Sequence, residues 1–222
     1  MRSIIVIAAH PDDEVLGCGG TIAKHTTDGD KVHVVFMTDG VSSRGDTKQE
    51  DIHNRDKACL RAIETLNVTG VYNLGFDDNS MDNHCLLAIT KKLEKIIEKI
   101  SPEVIYTHHS DDLNVDHRLT FQAVMTAARP TPSQTIKSIY SFEVLSSTDW
   151  AGPAAKQFNP NVYVNITNFY NIKRKALECY DLEMREPPHS RSVYHSKILA
   201  EHRGHTVGVQ YAEAFELLRM VV

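Results

Sequence analysis

His10-Pro11-Asp12-Asp13 puts one imidazole and two carboxylates into four consecutive residues. A histidine and an aspartate on one turn can offer a nitrogen and an oxygen to a divalent cation. A second aspartate beside them stays free to take a proton from water. In this reading His10 and Asp13 are metal ligands and Asp12 is the general base. A third ligand must come from elsewhere, and Asp111-Asp112-Leu113-Asn114-Val115-Asp116-His117-Arg118 offers His117. Two ligands from one loop and a third from a distant one leave a fourth position open, as in a catalytic zinc site. An ion held this way lowers the pKa of a neighbouring water from ~15.7 to roughly 7 and polarises a carbonyl. That is the chemistry of amide or ester hydrolysis. Zinc is the expected ion, although histidine and carboxylate ligands also accept iron, cobalt or manganese.

These residues need a scaffold that brings position 10 to position 117. Ile4-Ile5-Val6-Ile7-Ala8-Ala9 is an apolar run with no polar alternation, the pattern of a strand buried on both faces. The chain then alternates. The pattern predicts a helix over 15–28, a strand over 31–37, a polar loop to about 48 and a helix to about 66. A strand at 71–74, a helix over 84–100, a strand at 103–107 and a helix over 115–128 follow. Strands near 137–143 and 161–165 come next, then helices near 168–183, 192–204 and 210–219. This order predicts an α/β fold: an open, mostly parallel, doubly wound sheet with helices on both faces. In such sheets ligands bind outside the carboxyl ends of the strands. His10 to Asp13, Asp39, Asp77 with Asp78, and His108 with His109 all fall at those ends. Each has a plainer role when taken alone. His10 can cap a strand end, Asp12 and Asp13 can cap the next helix, His117 can be structural, and Asp116 with Arg118 can be a surface pair. Convergence on one sheet edge favours the metal.

Bulk properties narrow the class. The 222 residues suit one domain spanning 1–222, and no repeat or linker divides them. A net charge of −5 argues against a nucleic-acid partner. No apolar run approaches the ~20 residues of a membrane span. The N-terminus leads directly into a strand, so no signal peptide is expected. The four cysteines show no paired spacing and read as reduced thiols of a cytoplasmic protein.

Ala9-His10-Pro11-Asp12-Asp13-Glu14 with glycines 17, 19 and 20, together with Asp116-His117-Arg118, resembles two motifs of the LmbE-like (PIG-L) zinc-dependent de-N-acetylases. Thr38-Asp39-Gly40 with Arg44, and Gly75-Phe76-Asp77-Asp78, also resemble family segments, so the similarity covers roughly residues 3–128. Pro187 to Ser192 looks like a subgroup feature. The resemblance implies a Rossmann-like fold and removal of acetyl from an N-acetylated amino sugar, its glycoside or conjugate, with zinc on His10, Asp13 and His117 and with Asp12 as base. It also implies a small-molecule partner and a homo-oligomer. One position departs from the pattern. Many members carry a histidine where this chain has Asn114, whose amide can donate to an oxyanion but cannot protonate a leaving amine. Either Asp12 then shuttles the proton itself, or a histidine such as His189 or His108 reaches in. Arg44 is expected to meet a substrate anion. Asp39 is expected to touch a sugar hydroxyl or hold the Asp12 loop, and Asp77 and His189 join them as substrate-side residues.

Other readings fit less well. A dinucleotide-binding oxidoreductase would use the same fold, with Asp39 on a ribose. However, Gly17 lies several residues past the strand, Ile22 stands where the third glycine belongs, and three acids would repel a pyrophosphate. A non-catalytic metal-binding module leaves Asp12 without a use. A zinc amidase acting on a non-sugar amide is the alternative within the hydrolases.

Overall fold

The computed structural model covers residues 1–222. Strand β1 (Ser3–Ala8) is the pivot of a seven-stranded sheet. Around it run α1 (Asp13–Thr27), β2 (Lys31–Thr38), α2 (Gln49–Thr65), β3 (Gly70–Phe76), α3 (Leu86–Ile100), β4 (Val104–His108) and α4 (Val115–Ala127). The chain finishes with β5 (Ser138–Phe142), β6 (Val162–Asn165), α5 (Tyr170–Cys179), α6 (Val193–Thr206) and β7 (Ala212–Met220). Strand order is β3-β2-β1-β4-β5-β7-β6. All pairings from β3 to β5 are parallel, and only β7 runs antiparallel to its neighbours.

The unbroken apolar run of β1 is explained by cover on both faces. Ile4, Val6 and Ala8 enter one core with residues of α1, α2 and α5. Ile5 and Ile7 enter a second core with residues of α3 and α4. The pleat sends alternate side chains to opposite faces, so both sets must be apolar. Helix α3 shows the matching stripe: Ile89, Leu93 and Ile97 are buried, each worth about 1.5–3 kcal/mol of apolar burial. It ends at Ser101, in the left-handed region (φ 49°), just before Pro102.

The segment expected to be a helix over 210–219 is instead strand β7. Its Ala, Glu and Leu residues are good helix formers, but the strand is hydrogen-bonded on both sides, to β5 and β6. Its two buried glutamates have dedicated donors. Glu213 accepts from Gly20 N (2.9 Å), Thr21 N (2.7 Å) and Lys173 Nζ (2.6 Å). Glu216 accepts from His109 Nδ1 (2.8 Å), Ser141 Oγ (3.0 Å) and Asn159 N (3.1 Å). Glu213 also explains a break in α1. The helix is interrupted at Cys18 (φ −146°), and Glu213 takes up N–H groups just past the break while Lys173 Nζ donates to Leu16 O before it (2.9 Å). Gly17 is needed there because an added Cβ would lie 2.3 Å from the Phe142 ring.

Strand β1 lies between β2 and β4. Its following helix α1 packs on one face of the sheet and α4, after β4, on the other. This is the point where strand order reverses, and a crevice opens there at the carboxyl ends of the strands.

Candidate active site

The turn leaving β1 closes with Asp13 N donating to His10 O (3.2 Å). Within it Asp12 has φ 127°, which an L residue adopts only under constraint, at about 1–3 kcal/mol. Glu14 supplies that constraint. Its Oε2 accepts from Asp12 N (2.9 Å) and its Oε1 from the Tyr180 hydroxyl (2.7 Å). Burial pushes the Glu14 carboxyl up to about 8, against the pull of those two hydrogen bonds.

On the other wall, Asn114 caps α4 by accepting from Asp116 N (2.8 Å), which points the first turn of α4, with His117, into the crevice. His10 Nδ1 lies 3.1 Å from Asp13 Oδ2, His117 Nε2 lies 3.2 Å from the same oxygen, and the two nitrogens are 3.2 Å apart. Ligand atoms held about 2.0–2.1 Å from a tetrahedral ion would be separated by about 3.3–3.4 Å, so the triangle needs almost no adjustment. The outer nitrogens are held by acceptors. His10 Nε2 faces Asp78 Oδ1 (3.1 Å) and Asp116 Oδ2 (3.2 Å), and His117 Nδ1 faces Asp112 Oδ1 (3.2 Å). Carboxylates only accept, so the outer nitrogens carry hydrogens and the inner ones can turn lone pairs to a cation. Asp13 Oδ1 is buried without a hydrogen-bond partner, an unsatisfied acceptor of the kind a cation satisfies.

The electrostatics agree. Burial pushes the His10 ring down, but Asp116, Asp13 and Asp78 outweigh it and hold its pKa well above the usual range. His117 behaves likewise: burial is overcome by Asp13 and Asp112, which lift it to about 9. Burial pushes Asp13 up, yet His117, His10 and His108 hold it well below the usual carboxylate range. Surroundings that retain a proton on these rings also favour a divalent cation in its place.

Two further groupings, His108 with Asp112 and His117, and His10 with Asp78 and Asp116, are equally close-knit. Their acceptors are already used. Asp112 accepts from Asn114 N (3.0 Å), Thr148 Oγ1 (2.7 Å) and Ser147 Oγ. Asp116 accepts from Asn79 N (2.7 Å) and Met81 N (3.1 Å), and His108 Nε2 accepts from Ala9 N (2.8 Å). The set His10, Asp13 and His117 is the one with acceptor capacity left over.

Of the triangle, His10 lines a cavity of about 160 Å³ that has no apolar side chain in its lining, with Asp13 and His117 buried behind it. Asp12 lies in it, with Oδ2 3.2 Å from Arg191 and 3.7 Å from Arg55. Burial raises the Asp12 pKa and the two arginines only partly pull it back. Arg44 also lines the cavity, paired with Glu183 at 2.7 and 2.8 Å. Asn114 lines it too, with Nδ2 donating to Asn79 Oδ1 (2.8 Å).

Three expected substrate-side residues lie outside. Asp39 Oδ1 accepts from Val41 N and Ser42 N, both 2.9 Å; it shapes its own turn and does not hold the Asp12 loop. Asp77 is exposed, and its neighbour Asp78 reaches His10 instead. His189 is absent from the lining; its Nδ1 accepts from Arg191 N (3.0 Å), and Arg191 is the residue of that segment that enters. Burial first, then the charge of His117, lowers the His108 pKa to about 3, and its Nε2 is taken up by Ala9 N (2.8 Å). Arg55, Arg191, Glu183 and Tyr180 were not anticipated from sequence. Arg55 could have been, because it interrupts the apolar stripe of α2 between Ile52 and Cys59.

Known proteins share this architecture. A probable N-acetyl-α-D-glucosaminyl L-malate deacetylase 2 of Bacillus cereus is 28% identical over 183 residues, covering 79% of this chain and 81% of the relative. An uncharacterized deacetylase of Escherichia coli, YaiS, is 30% identical over 183 residues, covering 80% and 89%. The N,N′-diacetylchitobiose deacetylase structure from Pyrococcus horikoshii superposes with a TM-score of 0.79 at 22% identity, over 97% of this chain and 83% of that one. No helix is long and apolar enough to cross a membrane. The model of the family described as PIG-L, GlcNAc-PI de-N-acetylase, matches residues 5–128 and so takes in both the His10 turn and the His117 helix. With more than half of its length matched, the chain belongs to the PIG-L family.

Proposed function

We propose that this protein is a metal-dependent hydrolase that removes the N-acetyl group from an amino sugar conjugate, with zinc as its ion. The observation that carries the reading is the triangle of His10 Nδ1, Asp13 Oδ2 and His117 Nε2, with edges of 3.1–3.2 Å, whose His10 lines a polar cavity together with Asp12. When bound, the ion supplies Lewis acidity, which polarises the acetamide carbonyl and acidifies a water.

The chain's residues do the rest. Asp12 Oδ2 accepts the proton of the attacking water. A carboxylate whose pKa is raised by burial is a better base at neutral pH than an exposed one. Arg191 and Arg55 keep it ionised and fix the orientation of Oδ2. The proton then has to reach the leaving amine. Asn114 has no proton to give, and His108 is neutral with Nε2 occupied. Asp12 is therefore both acceptor and donor. Asn114 Nδ2 can serve an oxyanion by exchanging its bond to Asn79. Arg44, Arg55 and Glu183 form the wall that receives the sugar. The deacetylase names of the relatives support this substrate class.

Acetate release tests the reading directly. N-acetylglucosamine, its malate glycoside and N,N′-diacetylchitobiose are incubated with enzyme of measured zinc content, with and without a chelator. Release from at least one sugar, abolished by the chelator and restored by zinc, is expected. Zinc-loaded enzyme that liberates no acetate from any of them would overturn it.

A further inference from the structure

Five residues other than glycine have positive φ: Asp12, Asn67, Asn79, Ser101 and Ser146. Asparagine tolerates that backbone, and Ser101 ends α3. The remaining two, Asp12 (φ 127°) and Ser146 (φ 64°), adopt a conformation that a β-carbon resists and that persists only where surrounding contacts hold it. At Asp12 the holding group is Glu14. Ser146 is joined to Asp12 by a single side chain.

Arg191 makes the join. Its Nη1 donates to Asp12 Oδ2 (3.2 Å) and its Nε donates to Ser146 Oγ (2.8 Å). A guanidinium is planar and rigid, so an acceptor that fixes Nε also fixes the direction in which Nη1 points. Arg191 needs such a hold. It lines the cavity with its side chain 24% exposed, and an unheld arginine there samples several rotamers. Arg55, the other cation beside Asp12, is farther off at 3.7 Å.

Ser146 is itself held from both directions of the chain. Val144 and Leu145, before it, are buried. Ser147 and Thr148, after it, donate their hydroxyls to Asp112, the carboxylate behind His117. Thr148 Oγ1 also accepts from Val144 N (2.8 Å), which closes the turn. Ser146 N donates to Ser190 Oγ (3.2 Å), and that hydroxyl donates to Asp149. Consecutive residues therefore support the His117 side of the site and present the acceptor for Arg191 on the Asp12 side.

We propose that Ser146 is a positioning residue for the hydrolysis. Its hydroxyl oxygen aims Arg191 at Asp12 Oδ2 and keeps that oxygen in the orientation from which it takes and returns the proton. The proposal rests on the de-N-acetylase reading and adds to it a residue that does not line the catalytic cavity. The competing role for Ser146 is to shape its own turn and nothing more.

Kinetics and spectra separate the two roles. Ser146→Ala removes the acceptor and keeps the β-carbon. Its kcat for acetate release should fall about tenfold, the scale of one hydrogen bond to a charged group, with KM within about twofold and zinc content unchanged. Ser146→Gly relieves the backbone but also lacks the oxygen, so its kcat should fall as far. Near-normal kcat in either variant overturns the proposal. Arg191→Lys cannot hold both partners at once, so adding Ser146→Ala to it should cost nothing further. Additive losses would show that Ser146 does not act through Arg191. A fall in kcat that comes with loss of zinc also counts against the proposal, because the effect would then run through Asp112. The second readout needs no turnover. The Arg191 Nε–H signal in 15N spectra, identified by its absence from Arg191→Lys, should exchange with solvent faster in Ser146→Ala than in the wild type. An unchanged exchange rate refutes the contact. Failure of the wild-type protein to release acetate from any sugar would sink the hydrolase reading, while the exchange measurement still decides whether Ser146 holds Arg191.

Discussion

The same strands carry a histidine–aspartate cluster at each end, and only one has the form of a metal site. At the amino ends, Asp30 accepts from Arg2 N (2.8 Å), Arg2 Nε (3.1 Å) and Arg2 Nη2 (2.6 Å), and its Oδ2 lies 3.0 Å from His25 Nδ1. The far side of that imidazole meets the Tyr106 hydroxyl at 3.0 Å. At the carboxyl ends, His10, Asp13 and His117 are as close together, but no arginine enters their triangle. The cations of that region, Arg55 and Arg191, sit on Asp12 instead. The pKa values follow. Burial wins at His25 and lowers it, whereas surrounding carboxylates win at His10 and His117 and raise both. A fixed guanidinium has already satisfied the first cluster. The second is left with excess negative charge and an unpaired Asp13 Oδ1. Composition alone does not separate the two; the placement of the permanent cations does.

The largest expected effects break the carboxyl-end cluster. His117→Ala should lose bound zinc and turnover together, read by metal analysis and acetate release on one preparation. Asp12→Asn should keep its zinc and lose turnover by about 10²–10⁴-fold, the range for removing a general acid–base group. If Asp12→Asn retained near-normal rates, the proton path through Asp12 would be wrong. A smaller effect should come from one step out. Asp112→Asn leaves all three inner atoms in place but weakens the acceptor for His117 Nδ1. Zinc affinity should fall about 10–100-fold, measured by competition with a chelating dye. An unchanged affinity would mean that Asp112 serves only its own loop, through Asn114, Ser147 and Thr148.

Much of the carboxyl-end cluster can be read locally in the sequence, because strand ends and helix starts lie close to the motif in the chain. The apolar run of β1 and the acids after it locate the turn, and the start of α4 locates His117. Residues that act across long separations are harder to read. Arg191 meets Asp12 across 179 positions, and nothing in its neighbourhood marks it above His189. Asp78 was within reach of local reasoning. Tyr72, Leu74 and Phe76 point inward along β3, and continuing that alternation selects Asp78 and sends Asp77 to solvent. β7 was not within such reach. Its helix-forming residues are held in a strand by partners from distant segments, Lys173 and Gly20 among them, and the buried glutamates become intelligible only once those donors are in view.

The smallest expected effect belongs to the amino-end cluster. Burial pushes Asp30 up, but the Arg2 guanidinium and backbone N–H outweigh it and bring its pKa to about 2, from an ordinary 3.8. A carboxyl lowered by folding stabilises the native state in its ionised form. That contribution is fully present above about 3.8 and is lost as pH falls through about 2. Arg2 is half exposed, so solvent and salt screen much of the attraction, and Asp30→Asn should cost only about 1 kcal/mol at pH 7. In urea unfolding the gap between wild type and variant should hold from pH 7 to about 4 and narrow below that, while zinc content and acetate release stay at wild-type levels at pH 7. A variant that lost zinc would show that the two ends of the sheet do not act independently, and the contrast between a satisfied and an unsatisfied cluster would fail.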